Sequence, residues 1–179
     1  MVDKTALATI FQKHDFDDYK WINPRKDIIV AQWVRFHCMF GCDTYGVSAC
    51  CPPAVPSVAE CREMIGEYSE GVVLHFPIPG EDDEKVSMDL WRRLTKLERE
   101  VFLAGHQKTF ALMTNSCKLC KECSAEGTRQ KCRIKKATRP TMEAMGIDVY
   151  QTVRNIGYPI QVIRNRDESI NRYAILLIE

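Results

Sequence analysis

Apolar residues recur along the chain at two spacings, and each spacing predicts one kind of element. Short runs in which apolar residues alternate or follow one another, rich in β-branched and aromatic side chains, are typical of strands. Five such runs predict strands at residues 28–36, 72–76, 108–113, 158–163 and 173–178.

A spacing of three or four residues predicts helices instead, and the longest predicted helix covers about residues 83–104. Its apolar face consists of Val86, Leu90, Leu94, Leu97 and Val101. Gly105 follows this run and suits the left-handed conformation in which many helices end. We therefore expect one side of this helix to pack on the core.

Shorter helices are predicted at about 57–68, 140–146 and 148–155. Two of them open on residues with the spacing of a capping box, Ser57 with Glu60 and Asp148 with Gln151. The third has Pro140 in its first turn, where a missing N–H group costs nothing.

This order of elements predicts an α+β or α/β fold, with a sheet of about five strands, flanking helices and cysteine-rich loops. A length of 179 residues fits a single domain over 1–179. The two cysteine-rich loops, at about 37–53 and 116–139, are the predicted metal-cluster loops.

The composition is ordinary except for nine cysteines. The chain is too long to need disulfides as staples, and an odd number cannot pair completely. The first residues lack the apolar run of a signal peptide, and no apolar run is long enough to span a bilayer. We therefore expect a cytoplasmic protein without membrane insertion, in which clustered thiols bind metal.

The clearest motif is the group Cys117, Cys120, Cys123 and Cys132, spaced C-x2-C-x2-C-x8-C. Three thiolates at intervals of three residues can reach three irons of a cube, and a later cysteine can reach the fourth, as in ferredoxins. Zinc sites more often use two separated pairs of ligands. The spacing favours a [4Fe–4S] cluster, with zinc and unligated thiols as the alternatives.

A second group lies earlier in the chain and consists of Cys38, Cys42 and Cys51, with Cys50 as a further candidate. Cys51 precedes Pro52, as the last cysteine does in the ferredoxin motif, where it ligates the other cluster of a pair. We predict two clusters, for which eight thiolates are needed and seven cysteines are good candidates. If only Cys38, Cys42 and Cys51 bind the first cluster, one of its irons stays open. Buried, inert thiols are the alternative, and Cys61 is expected in the core.

The motifs together resemble a known family. They are WVRFHC-x3-C-x2-YG, CPP, LERE-x-FLAG, C-x2-C-x2-C, CR and RPTMEAMGIDV. Over about residues 30–157 the chain resembles the domain-of-unknown-function 2284 family, the predicted metal-binding proteins of bacteria and archaea. The resemblance implies metal binding by the seven cysteines other than Cys50 and Cys61, and it implies an anaerobic setting.

The loop from Cys117 to Arg139 carries a net charge of +6. Since the whole chain has a formal net charge of +1, the remaining residues carry −5. A redox protein partner could dock on this basic loop, and the alternative is a solvated surface. Nucleic acid is not expected, because the loop has no aromatic residues for stacking. His37 is considered as a fourth ligand, and Arg139 with Glu143 as a pair near the cluster loop.

The sequence thus predicts an iron–sulfur protein with one or two [4Fe–4S] clusters that transfers electrons in an anaerobic redox pathway. One alternative is an enzyme that uses the open iron of the Cys38, Cys42 and Cys51 cluster for substrate or sulfur chemistry. The other is a zinc-stabilised interaction module. Nucleotide-binding and hydrolase motifs are absent, and no catalytic residue is assigned.

Overall fold

A four-stranded antiparallel sheet forms the centre of the protein. The computed structural model describes residues 2–78, 84–165 and 168–179. Within these ranges the sheet has the order β1-β2-β4-β3, and every neighbouring pair is antiparallel. The strands are β1 (Tyr19–Ile22), β2 (Gly71–Ile78), β3 (Phe110–Leu112) and β4 (Ile170–Leu177).

Helices cover both faces of this sheet. They are α1 (Lys4–Lys13), α2 (Pro24–Asp27), α3 (Gln32–Gly41), α4 (Val58–Gly66), α5 (Glu84–Leu103) and α6 (Val149–Asn155). Three short 3₁₀ turns at Arg129–Lys131, Lys135–Ala137 and Glu143–Met145 punctuate the stretch between β3 and α6. The architecture is α+β as predicted, with four strands in the described residues where about five were expected.

The central strands are buried on both faces over the half of their length where each side of the sheet packs on helices. Successive residues of β2 alternate between two cores: Val72 and Leu74 pack with α1 and α5, and Val73 packs with α4 and α6. β4 repeats this alternation, with Ile175 in one core and Leu176 in the other. This two-sided burial explains why the first half of β2 and the second half of β4 are continuous apolar runs.

The predicted strand over residues 28–36 is wrong. The chain makes a single antiparallel bridge there, Val30 with Ile147, and then enters α3. Short contacts on either side satisfy the backbone, because the amide of Ile29 donates to the hydroxyl of Thr152 (3.0 Å) and that of Ala31 to Gly146 O (2.8 Å). With no second strand alongside, the alternating pattern had no ladder to join.

The predicted strand over residues 158–163 is also wrong. Tyr158 is buried because its ring packs against His75 and Tyr173, whereas Val162 is 68% exposed, and the segment is irregular. The segment is therefore anchored to the core mainly by this one ring.

Four elements of the structure were not predicted. They are α1, the four-residue strand β1, the four-residue helix α2, and α3, which begins inside the run predicted as a strand.

The other predicted elements are confirmed, with the exception of the helix at 140–146. At the start of α4 the capping box is complete, with Glu60 N donating to Ser57 Oγ (3.3 Å) and Ser57 N to Glu60 Oε2 (2.8 Å). Asp148 caps α6 by accepting from Gln151 N at 2.9 Å, although the Gln151 side chain does not reach back to complete a box. The predicted helix at 140–146 is reduced to one 3₁₀ turn that Gly146 ends at φ +77°.

α5 matches its prediction closely, but its apolar face is shorter than expected. The predicted first residue, Asp83, lies outside the described residues, and Gly105 takes φ +106° just after the helix. Leu97 and Val101 are fully buried, whereas Val86 is 44% exposed. No helix in the described part of the chain has the length and apolar character needed to cross a membrane.

The contrast within this face gives a stability prediction. Leu97→Ala should lower the free energy of unfolding by about 2–5 kcal/mol, because it leaves a cavity between α5 and the sheet. Val86→Ala, the matched control, should change it by no more than about 0.5 kcal/mol. Anaerobic urea unfolding followed by circular dichroism measures both, and equal losses would contradict the assigned packing.

Candidate metal centre

The first group of thiols gathers where α3 ends. Cys38 lies in the last turns of the helix, Cys42 is its C-terminal cap, and Cys51 returns from the following loop. The hydroxyl of Thr44 lies between two of them, 3.1 Å from Cys42 Sγ and 3.8 Å from Cys51 Sγ. Burial, followed by the charges of Cys42 and Glu143, raises the pKa of Cys38. The three thiols are therefore neighbours in space, as their spacing predicted.

These three thiols line a cavity of about 500 Å³. Its size lies within the range of about 300–1,000 Å³ that is typical of small-molecule sites. The wall also carries Lys118 from the second cysteine loop, so the cavity lies between the two loops. His37 is part of the same wall, with its ring edge-to-face against Trp33 at 4.9 Å.

Glu143 and Arg172 also line this cavity. Glu143 is solvent-exposed where it lines the cavity. Partial desolvation by the cavity wall raises the pKa of Glu143, against hydrogen bonds from its own amide and Thr141 and the charge of Arg172. A carboxyl group thus faces the thiols of the first group, and no sequence motif indicated it.

The second group of thiols surrounds a much smaller gap. The gap has a volume of about 20 Å³, room for about one water molecule. The sulfur-bearing residues around it are Cys50, Cys117, Cys120, Cys123 and Cys132. The four predicted cysteines are therefore brought together, and a fifth thiol from the other loop joins them.

The neighbouring residues Cys50 and Cys51 serve different groups. Both are buried, at 2% and 6% exposure, but Cys50 lies with the second group and Cys51 with the first. The close approach of the Cys50 and Cys117 thiols lowers the pKa of Cys117 to about 7 and, together with burial, raises the pKa of Cys50. Cys61 is 1% exposed in the core, as predicted, with its thiol against Met145.

Close contact of the two loops produces this arrangement. Gly127 takes φ +70°, and its amide donates to Val47 O at 3.3 Å. A Cβ atom at Gly127 would lie 2.6 Å from the carbonyl oxygen of Gly46, so only glycine permits the approach. The first loop is held in turn by Gly46, whose amide donates to Pro52 O at 2.8 Å.

α5 anchors the far end of the second loop. Trp91 Nε1 donates to Ala137 O at 3.1 Å, and Arg139 Nε donates to the carboxylate of Glu98 at 2.9 Å. Glu98 is only 5% exposed; burial raises its pKa, and the hydrogen bond and charge of Arg139 oppose that rise. Arg139 therefore pairs with Glu98, and the expected pairing with Glu143 is replaced by this buried contact.

Most basic residues of the second loop are exposed, and some of these also make contacts within the loop. Arg129 donates to the hydroxyl of Thr138 and the carbonyl of Lys135, both at 3.0 Å, and Lys131 pairs with Glu126. The exposed ones are Lys118, Lys121, Arg129, Lys131, Arg133, Lys135 and Lys136. The loop thus presents positive charge to solvent while part of it also holds the loop in shape.

The donors of both groups are sulfur atoms, which suit zinc, copper(I) and iron–sulfur clusters. Across residues 2–78, 84–165 and 168–179, no three His, Cys, Asp or Glu side chains have the geometry of a single-ion site. A tetrahedral zinc would need sulfurs about 3.8 Å apart around one centre, given Zn–S bonds of about 2.3 Å. A cubane takes each thiolate on a separate iron, so cysteines that surround a common gap match its donor chemistry. The sulfurs would have to move apart to reach the four irons.

Fold and site together define an α+β protein with two thiol groups in a thiol-rich candidate metal centre. The family model described as "Predicted metal-binding protein (DUF2284)" matches residues 20–178. The chain belongs to this family, over a longer stretch than the motifs indicated. No curated protein and no solved structure gives a significant match.

The anchoring pair in α5 gives a prediction about the second loop. Arg139→Met should lower the free energy of unfolding by about 3–5 kcal/mol, because it leaves the Glu98 carboxylate buried without its cation. Adding Glu98→Gln should recover part of the loss. Lys131→Met, which breaks an exposed pair, should cost no more than about 1 kcal/mol. Thermal or urea unfolding measures the free energy of unfolding of each variant. If Arg139→Met loses no more stability than Lys131→Met, the Arg139–Glu98 pairing is contradicted.

Proposed function

We propose that this protein binds [4Fe–4S] clusters at its two thiol groups and transfers electrons in an anaerobic redox pathway of the cytoplasm. The observation that supports this most is the second group, in which four thiols with ferredoxin-like spacing surround one gap. Family membership supports metal binding in general. When bound, a cluster would supply one-electron redox chemistry, and Cys117, Cys120, Cys123 and Cys132 would hold it.

Zinc is the alternative metal, and the ligand spacing weighs against it. The C-x2-C-x2-C run supplies three donors in seven residues, whereas zinc sites more often use two separated pairs. This spacing favours a cluster whose corners are held by separate sulfurs.

The neighbourhood of the two groups supports a role in electron transfer. Cys50 and Cys51 are joined by one peptide bond and belong to different groups, and the charge of Cys117 reaches Cys51. Two clusters held in this way would be close enough to exchange electrons within the protein. The exposed positive charge of the second loop would attract an acidic redox partner.

Metal analysis of a single variant tests this proposal. Cys120→Ala should remove most of the iron, acid-labile sulfide and visible absorption of one cluster after anaerobic purification. Cys61→Ala, which removes a buried thiol outside both groups, should leave them unchanged. Iron content equal to the wild type in Cys120→Ala would contradict the assignment, and colourless protein with stoichiometric zinc would replace it by the zinc-stabilised interaction module.

A second candidate function is enzymatic, and the cavity of about 500 Å³ favours it. Three thiols, Cys38, Cys42 and Cys51, would leave one iron of a cubane without a cysteine. The cavity would give a small substrate access to that position, since catalytic metal sites keep an open position. Its carboxyl group, Glu143, and its cations, Lys118 and Arg172, provide polar groups to orient a substrate.

Cyanide is a suitable probe of an open position. It should perturb the EPR spectrum of the reduced wild-type protein and of Cys120→Ala, both of which retain the first group. The Cys42→Ala variant should not respond, because the responding cluster is lost. Clusters that are inert to cyanide in all three proteins would count against the enzymatic function and leave electron transfer as the proposal.

A further inference from the structure

We propose that α3 is a dimerisation helix, which packs through an exposed aromatic stripe against the same stripe of a second copy of this chain. The stripe consists of Trp33, Phe36, His37 and Phe40. The proposal does not depend on which metal the thiols bind, because it rests on the apolar face of the helix.

The stripe follows one side of α3. Its members are separated by three, one and three positions, a spacing that places them on one face of a helix. Trp33 lies edge-to-face on His37 with ring centroids 4.9 Å apart, and Phe36 stacks on Phe40 at 6.2 Å. Two pairs of rings therefore adjoin each other on one face of the helix.

This face is turned away from the core. Val34, which faces the core, is 5% exposed, whereas Trp33, Phe36 and Phe40 are 48%, 52% and 81% exposed. A surface helix ordinarily buries its apolar face and presents polar residues to solvent. α3 is apolar on its buried and on its exposed side, and nothing in the described part of the chain covers the exposed one.

The exposed area is large enough for a dimer. A whole aromatic side chain presents about 150–250 Å² of surface, so the exposed parts of Trp33, Phe36 and Phe40 amount to roughly 300–450 Å². Exposed apolar patches of this size commonly mark interaction sites. Burial of the patch on two copies, with Met39 beside it at 44% exposure, approaches the total of about 1,000 Å² that a specific interface needs.

The charge of this face favours a second copy over a charged partner. Arg35 is the only Lys, Arg, Asp or Glu in α3, and its guanidinium donates inward to Pro56 O and Ala144 O, both at 3.0 Å. An uncharged apolar face can meet its own copy at a two-fold axis because no like charges are brought together. The chain's net charge of +1 also adds little repulsion between two copies.

The dimer places the second copy beside the cavity of the first thiol group. Trp33 and His37 belong both to the stripe and to the cavity wall, and Cys38 lies on the same helix. Packed helices lie about 8–10 Å apart, so the first thiol groups of both copies border a single interface. The interface therefore adjoins the region to which a small molecule would have access.

Sedimentation equilibrium of the full chain, purified anaerobically and kept reduced, tests the proposal. We expect the wild type to approach twice the mass of one chain as its concentration rises. Phe36→Glu and Phe40→Glu should each raise the dissociation constant of the dimer by about 30-fold or more, because each removes an aromatic anchor and introduces like charges. Phe102→Glu makes the same change at a 50% exposed residue of α5 and should associate as the wild type does.

Hydrogen–deuterium exchange of the wild type gives a second measurement that needs no variant. Exchange of the amides at residues 32–41 should slow as the protein concentration rises, whereas exchange in the last turn of α5 should not change. Circular dichroism and metal content show for each variant that the fold and the thiol groups are intact.

Three results would overturn the proposal. They are a wild type that stays monomeric at every concentration, a dimer that both Glu variants of the stripe leave intact, and exchange in α3 that does not depend on concentration. A monomeric wild type that sediments with phosphatidylglycerol vesicles would assign the stripe to a membrane surface instead. Each of these results leaves the proposed iron–sulfur function standing, since metal content is measured separately.

Discussion

The close backbone contact between Gly46 and Gly127 is the constraint on which the rest of the site depends. A Cβ atom at Gly127 would collide with the carbonyl oxygen of Gly46, so the backbones of the two loops are closer than any residue other than glycine would permit. The contact places Cys50 among the thiols of the second loop and Lys118 on the wall of the first cavity. Two groups that are separate in sequence thereby become one continuous region of the protein.

This region is irregular backbone, and its shape is maintained from outside the sulfurs. α5 packs on the sheet through fully buried residues such as Leu97 and presents Trp91 and Glu98 to the second loop. α4, opened by its complete capping box, packs Val58 against Gly146, which follows the turn that carries Glu143. The loops therefore have fixed ends on either side of their thiols.

Local patterns predicted the elements whose causes are local. The capping box at Ser57, the period of α5 and the continuous apolar run of β2 each depend on residues within one element, and all are confirmed. The run over 28–36 failed because a strand needs a neighbour, and the neighbour is one bridge at Val30. The strand predicted over 158–163 failed for a similar reason. Tyr158 is buried by contacts with rings in β2 and β4, and it does not belong to a strand.

The same distinction applies to the candidate site. Spacing predicted that the cysteines of each loop would gather, because short loops bring their own residues together. The separation of Cys50 from Cys51 is a tertiary effect that depends on a glycine 77 positions away from Cys50, and adjacent thiols carry no signal of it. The cavity wall is likewise assembled from four separate segments, which include Thr44, Lys118, Glu143 and Arg172.

The two thiol groups differ in a way that bears on their chemistry. The second has five cysteines around a gap of about 20 Å³, so it is crowded and leaves little open space. The first has three cysteines beside a cavity of about 500 Å³, so it is open to a small molecule. In the proposed scheme the crowded group therefore suits the storage and relay of electrons, and the open group suits contact with a small molecule. In this scheme the peptide bond between Cys50 and Cys51 connects the second group, which would relay electrons, to the first group, where a small molecule would accept them.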